Sequence, residues 1–477
     1  ALLLSAAGLF SGVLLAQVLR AALIALYPGE LPFAGRATID LRVLLFAASI
    51  ALLVVLLFGI VPAWLSARSS SPRMLHSAAL RSTLDRRGQR TRAALVAGEI
   101  ALACVLVTMA ALVGRSFARV QAQPAGFHTD GLLLMSITPS RERVPNAQVT
   151  TFYQQLPERL ARVPGVRTAS AASSLPISGG DSHGILTVEG RPFPGLAPSA
   201  SYRRVLPSYF QSIGIPLLAG REFDARDRGA EPYVTLVNET LARRHFGSAN
   251  AAVGRRITVG PPEGEPWLTI VGVVGDVRNE GLETNDEHAT YEPHPQRPWR
   301  TMQLVVRSDG DPLTVLPSVR AALRELDPYM LMEDVTTMEQ RMAESLAPRR
   351  FNAVLLGAFG VLALLLASVG VYGISAYLVA ERRREFGIRA ALGATSAQIR
   401  ALVMGRGLRL AGAGLAMGIP VALGASWLLR HLLFEIETTD PISLLLSGGA
   451  LCTVSIAACW LPARRATRVD PASTLRS

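Results

Sequence analysis

Residues 352–380 read NAVLLGAFGVLALLLASVGVYGISAYLVA, a run without one Asp, Glu, Arg, Lys or His. About 20 apolar residues wound as a helix cross the hydrocarbon core of a bilayer. Lipid offers backbone N–H and C=O groups no other solution except a closed barrel. The run is therefore a membrane helix, and it has company. Residues 43–67 and 441–463 are equally free of charge, and 1–19, 93–115 and 404–430 are strongly apolar. Half of the 477 residues are hydrophobic and only 18% are charged, as a chain living largely in lipid requires.

The net charge of +12 raises the question of nucleic acid, which its distribution answers. Residues 116–348 hold 23 Arg against 26 Asp and Glu, a net of −3, so the membrane-flanking remainder carries +15. Basic loops beside apolar spans mark the cytoplasmic face, and no nucleic-acid partner is implied. Arg68, Arg73, Arg81, Arg86, Arg87, Arg90 and Arg92 fill the linker 67–92. Arg382, Arg383, Arg384, Arg389 and Arg400 fill 381–403, and Arg464, Arg465, Arg468 and Arg476 fill the tail 464–477. Alternation then puts 116–348 outside.

These assignments predict a membrane α-helical bundle of about six transmembrane helices carrying a large extracytoplasmic α+β domain. Val61-Pro62-Ala63 before Arg68 recurs as Leu461-Pro462-Ala463 before Arg468, so two similar membrane units are expected. Residues 1–66 hold only the last two spans of the first. The chain opens inside an apolar run at Ala1, and one span and one outer domain are expected to be missing ahead of it. Within the outer domain, 132–137, 166–172, 234–237, 269–274 and 303–306 read as strands. Residues 148–163, 312–326 and 337–346 read as helices, and the middle, about 175–298, as a β-rich insertion between two halves of an α/β core. Cys104, Cys452 and Cys459 all fall in apolar stretches, so the outer domain has no disulfide.

All 48 basic residues are Arg. A P-loop needs its Lys to reach the β- and γ-phosphates, so this chain contains no standard ATPase site.

Glu381-Arg382-Arg383-Arg384-Glu385-Phe386-Gly387-Ile388-Arg389-Ala390-Ala391-Leu392-Gly393-Ala394 leaves the span at 352–380 and resembles the cytoplasmic loop of the FtsX/MacB-like permeases of ABC systems. Arg115-Ser116-Phe117 through Gly126-Phe127, Pro207-Ser208-Tyr209-Phe210 and Gly220-Arg221-Glu222-Phe223 agree with it. So do Val237-Asn238-Glu239, Gly254-Arg255-Arg256-Ile257 and Val271-Gly272-Val273-Val274-Gly275-Asp276-Val277-Arg278, which resemble the periplasmic core domain of that family. The duplicated unit is similar to the subgroup with two fused permeases. The resemblance implies a multi-pass bacterial inner-membrane protein with its large domain in the periplasm. It implies a separate cytoplasmic ABC ATPase that hydrolyses ATP, no cofactor bound by this chain, and contact with membrane lipid and a periplasmic adaptor or outer-membrane partner. Its implied mechanism is relay of ATP-driven movement to the outer domain, for export or extraction of a substrate. The alternative within the family is a non-transporting regulator or sensor acting on cell-envelope enzymes.

On this resemblance Glu381, Arg382, Glu385, Phe386, Gly387, Arg389, Ala390, Leu392 and Gly393 are candidates for ATPase coupling, with Phe386, Ala390, Gly393 and Ala397 along one face of a helix over 381–403. Read alone, that stripe is a helix lying on the membrane surface. Glu99 is an intramembrane carboxylate and a functional candidate; its plainer role is snorkelling or an interhelical hydrogen bond. Gly357, Gly360, Gly370 and Gly373 form a stripe for close helix approach. Asp286, Glu287, His288, Glu292 and His294 lack the spacing of a zinc site and read as a surface loop. Asp181-Ser182-His183 is too local for a triad. No catalytic and no metal residues are expected, and a membrane-anchored enzyme is disfavoured.

Overall fold

The computed structural model describes residues 2–26, 40–55, 78–178, 180–191, 197–229, 232–260, 265–279, 288–428, 430, 433–434 and 436–467. In chain order, the first part contains α1 (Leu2–Leu26), α2 (Leu41–Val55) and α3 (Ala78–Ala122). Then follow β1 (Leu132–Thr138), α4 (Val149–Leu160), β2 (Val166–Ala172), β3 (Ser182–Val188), β4 (Ser199–Val205), α5 (Tyr209–Ile213) and β5 (Leu217–Gly220). Next come β6 (Val234–Asn238), α6 (Glu239–Phe246), α7 (Ala249–Ala252), β7 (Arg256–Val259), β8 (Leu268–Val274), β9 (Ala289–Pro293) and β10 (Met302–Ser308). The chain closes with α8 (Leu316–Leu326), β11 (Leu331–Thr337), α9 (Met338–Glu381), α10 (Arg383–Ala391), α11 (Ser396–Leu428) and α12 (Pro441–Ala466). It divides into a membrane unit, Ala1–Arg119 with Ala347–Ser477, and an outer unit, Val120–Leu346.

Among the described residues four helices are long and apolar enough to span: Arg92–Ala122 of α3, α9, α11 and α12. The two further spans expected at the start are apolar helices whose qualifying stretches, Ala6–Val18 and Leu41–Leu52, are shorter. The repeated motif at 61–68 and its counterpart at Arg468 lie outside the described residues. So do residues 67–77 of the basic linker; from Ala78 onward it is already the first part of α3.

Helices in lipid gain nothing from burying Leu against Leu, so close packing of small side chains decides their association. The inward face of α11 reads Ile399, Val403, Gly407, Ala411, Gly414, Gly418, Ala422 and Ser426, small residues at helical spacing. A Cβ at Gly414 would sit 2.6 Å from Ile100 Cβ, and one at Gly418 would sit 2.7 Å from Cys104 Cβ and 2.9 Å from the Ala101 carbonyl. The backbones of α3 and α11 therefore touch. The facing seam of α12 is equally small: Ser443, Ser447, Ser455 and Cys459 are buried, and Thr108 of α3 donates to Ser447 at 2.9 Å. The Gly stripe expected on α9 is only half used. Gly360 meets Ala110, Gly370 meets Glu99, and Gly357 and Gly373 face open space.

The outer unit is an α+β domain on one 11-stranded sheet in the order β11-β1-β10-β2-β4-β3-β7-β8-β6-β9, with β5 on β8. β1 pairs antiparallel with β10 (Leu134↔Val305) and β10 with β2 (Val305↔Ser170). β1 is buried on both faces, which its continuous apolar run demands. Leu133, Met135 and Ile137 pack with Tyr153, Leu156 and Leu160 of α4 and Val319 and Leu323 of α8. Leu132 and Leu134 pack with Tyr209, Phe210 and Ile213 on the other side. The β-rich middle does not stand apart. Its strands extend the same sheet, and because β9 also pairs in parallel with β4, strands β4-β3-β7-β8-β6-β9 return on themselves as a barrel. Closure satisfies the edges of these short strands, and Leu186, Val237, Ile257 and Ile270 fill the barrel.

Three of the family-like stretches meet at one joint in this domain. Asn238 caps α6, accepting from Leu241 N at 3.3 Å and also from Ala289 N at 3.0 Å. Its amide donates to Asp276 at 2.8 Å, and Asp276 also takes Thr240 N at 2.9 Å and the Thr240 hydroxyl at 2.7 Å. Gly126, at φ +83, lies so close to the Asp276 carbonyl that any Cβ would overlap it.

Two outcomes follow from this packing. Gly414→Ala should cost about 1–3 kcal/mol by overpacking, whereas Gly412→Ala, with nothing within 4 Å, should be neutral or gain up to about 1 kcal/mol. Thermal unfolding in detergent separates the two, and equal shifts would contradict direct backbone contact. Asn238→Ala should cost about 1–3 kcal/mol and speed hydrogen exchange across β6, α6 and β9, the elements it ties; unchanged exchange there would argue against the joint.

Candidate functional site

The cytoplasmic connection from α9 to α11 is a short elbow, not the single helix expected over 381–403. Two devices break it. Gly393 takes φ +93, and Ala394 N donates back to the Arg389 carbonyl at 2.9 Å, a C-terminal stop only Gly adopts without strain. Immediately after, Thr395 and Gln398 form a reciprocal N-terminal cap: Thr395 N donates to Gln398 Oε1 at 2.9 Å, and Gln398 N to Thr395 Oγ1 at 3.4 Å. Gly393 followed by Thr395-x-x-Gln398 is thus a stop and a start. The apolar periodicity from Phe386 to Ala397 runs across it unbroken, and that concealed the break.

The expected docking face is accordingly redistributed. Phe386 is 3% exposed and packs on Ile399 and Val403 of α11 and Ala463 and Ala466 of α12. It fastens the elbow to the protein's own helices and cannot anchor a partner. Gly387 is buried beside it; Gly393 is exposed at the turn, and Ala397 is exposed on the next helix. The Ala390 side chain lies outside the described residues. The outward apolar groups are Ile388 and Leu392, 43% and 83% exposed and one turn apart. Glu381 and Arg389 are exposed with them, and Arg382 is half-buried. Glu385 binds Arg389 at 2.8 Å and Arg382 at 3.4 Å, surface pairs worth about 0.3–0.5 kcal/mol each that mainly hold side-chain directions.

Glu99 points across the bundle against Gly370 of α9. Among the described residues no hydrogen bond or ion pair to its carboxylate is present, so it is not the interhelical hydrogen bond considered above. On the outer side, Asp440 caps α12 by accepting from Ser443 N at 2.8 Å and pairs with Arg115 of α3. Phe434 N donates to Ser116 at 2.9 Å, so the Arg115-Ser116 stretch locks the loop before α12.

In the outer unit, the region around His288, Glu292 and His294 is a buried seam where β9 closes the barrel; the expected surface loop is corrected. Asp286 and Glu287 lie outside the described residues. His245 and His288 touch through their Nε2 atoms at 2.9 Å. Burial, then the neighbouring charge of His288, Arg244 and Arg191, pushes His245 down to about 4, so it is neutral at pH 7. Burial pushes the Glu292 carboxyl up, opposed by Arg297 at 3.3 Å. Among the described residues no group of three or more His, Cys, Asp or Glu is arranged to hold a metal. Asp181 of the Asp181-Ser182-His183 triplet is spent on Arg203: the two side chains are buried and paired, with Ser174 also donating to Asp181. Polarity in a strand had no local signal for that pairing.

Two family models match the chain: the MacB-like periplasmic core domain over residues 94–339 and the FtsX-like permease C-terminal region over 357–471. The macrolide export ATP-binding/permease protein MacB 1/2 of Paracoccus denitrificans is 27% identical over 391 residues, covering 78% of this chain and 54% of that protein. A pyoverdine export ATP-binding/permease protein of Pseudomonas syringae pv. syringae is 24% identical over 411 residues, covering 81% of this chain and 57% of that protein. The chain spans about half the length of the curated relatives it matches. The crystal structure of the periplasmic region of MacB from Actinobacillus actinomycetemcomitans aligns with a TM-score of 0.30 at 14% identity, over 46% of this chain and 94% of that one.

The elbow's geometry separates two residues that the sequence grouped together. Phe386→Ala should lower the stability of the full chain in detergent by about 3–5 kcal/mol, while Leu392→Ala should leave it within about 0.5 kcal/mol. Equal melting temperatures for the two would show that Phe386 is not an internal anchor.

Proposed function

Because this chain belongs to the MacB-like permease family, a multi-pass inner-membrane protein with its large domain in the periplasm, we propose that it is the permease subunit of an ABC system. In this reading a separate cytoplasmic ATPase supplies the energy. The chain relays the ensuing movement to the periplasmic domain, for export or extraction of a substrate. The observation that carries the reading is the elbow: a short helix held to the bundle by Phe386, with Ile388 and Leu392 left outward among Arg and Glu side chains. Two apolar side chains one turn apart suit a shallow groove on a soluble partner. The absence of Lys supports a partner ATPase, since no standard P-loop exists in these 477 residues.

Burying Ile388 and Leu392 at such a contact contributes about 1.5–3 kcal/mol for each side chain. Ile388→Asp with Leu392→Asp should therefore weaken ATPase binding by a factor of at least about ten while leaving the melting temperature unchanged. Co-purification of the cognate ATPase in mild detergent and stimulation of its turnover are the measurements. Full retention of both by the double variant would remove the elbow from the coupling role.

A further inference from the structure

A groove of about 910 Å³ runs between α3, α9 and α11 in the membrane unit. Its walls are apolar: Leu95 and Val96 from α3, Val369 and Ile374 from α9. Gly370 and Gly373 leave the α9 wall without side chains, and Leu95, Val369 and Tyr377 are 46%, 67% and 40% exposed, so the groove opens away from the bundle. Its cytoplasmic end is lined by Arg92, Arg406 and Arg409.

Among the described residues no carboxylate is paired with the charges at that end. Among the described residues neither Arg406 nor Arg409 makes an ion pair, and the Arg92 guanidinium stacks on the Tyr377 ring at 4.4 Å. Glu385 attracts Arg406 but is shared with Arg382 and Arg389, and Arg406 is also repelled by Arg382, Arg389 and Arg409. Glu99 sits against Gly370 at the same wall and pairs with none of the three. Arg406 and Arg409 lie about three turns into α11, a helix long and apolar enough to span the membrane. An uncompensated Arg there is costly, and an anion is the inexpensive remedy. Basic pockets between spans on the cytoplasmic side match the phosphate of an anionic headgroup, while an apolar furrow continuing toward the membrane centre matches its acyl chain.

We propose that this groove holds one anionic phospholipid of the cytoplasmic leaflet, its phosphate against Arg406 and Arg409 and an acyl chain along Val96, Val369 and Ile374. The site is separate from the elbow's outward face and does not depend on the coupling role. Arg92, held by Tyr377, closes the headgroup end.

The test is native mass spectrometry of the full chain in detergent, titrated with palmitoyl-oleoyl phosphatidylglycerol or with phosphatidylcholine of the same chains. Phosphatidylglycerol should be retained preferentially at a stoichiometry of one. Each basic residue at an anionic headgroup contributes about fivefold in affinity, so Arg406→Gln with Arg409→Gln should weaken retention about 25-fold and abolish the preference. Gly373→Leu, whose side chain enters open space, should fill the furrow and reduce retention of either lipid with both Arg in place. Melting temperatures without lipid verify folding of each variant. Equal retention of the two lipids by the parent chain, or a preference that survives both variants, would overturn the site. So would cross-linking of Gly373→Cys between two copies of the chain in detergent, which would show that protein occupies the groove.

Discussion

The closeness of α11 to α3 sets the terms for the rest of the membrane unit. With Ile100 and Ala101 lying where side chains at 414 and 418 would be, the two helices meet backbone to backbone, and dispersion over many short contacts replaces the hydrophobic effect that lipid removes. The same face of α11 continues at four-residue spacing down to Val403 and Ile399. Those two residues receive Phe386, so the elbow's position is inherited from the helix contact above it. The opposite consequence is equally physical. A helix that spends its small residues on α3 and α12 must carry its large and charged ones elsewhere, and Arg406 and Arg409 are thereby left at the groove beside α9.

A different constraint governs the outer unit. Its barrel strands are four to seven residues long and several are polar, so neither length nor composition makes them stable alone. Closure through β4 and β9 supplies the missing hydrogen bonds, and a few buried polar joints fix the register. Arg203 with Asp181 is one such joint, and Asn238, itself buried and tied to the exposed Asp276, is a second. Of the two, the charged pair is expensive to bury and more expensive to leave half-made, so both its partners must be present together. The family-like stretches at 126–127, 237–239 and 271–278 converge on the second joint, which gives those motifs a structural cause independent of any ligand.

How much of this was legible follows from the same distinction. Spans announce themselves by length and apolarity, and strands β1, β6, β8 and β10 by runs of aliphatic residues, because their burial is local information. β4 reads Ser199-Ala-Ser-Tyr-Arg-Arg-Val205, β9 contains Glu292, and β11 contains Glu333 and Asp334; none resembles a strand until a distant partner is supplied. Arg203 is interior only because Asp181 is. The elbow failed for another reason. Its stop at Gly393 and its cap at Thr395 and Gln398 were written in the sequence, but an apolar period of about 3.6 continued across them, and periodicity outweighed punctuation. The tight glycine contacts had their signal in Gly414-x-x-x-Gly418.

The placement of Phe386 changes what the elbow can do. A docking residue that also forms the protein's own core would have to leave one environment to enter the other, at a cost of several kcal/mol on each cycle. With Phe386 inside and Ile388 and Leu392 outside, the proposed docking and the internal packing fall on opposite faces of nine residues, Arg383–Ala391, and the turn that ends them. Glu385 reinforces the division, since its pairs with Arg382 and Arg389 run along the helix surface between the faces. On the coupling role proposed above, a force applied at Leu392 would reach α11 and α12 through Phe386, because the intervening contacts are packed side chains and a glycine helix stop.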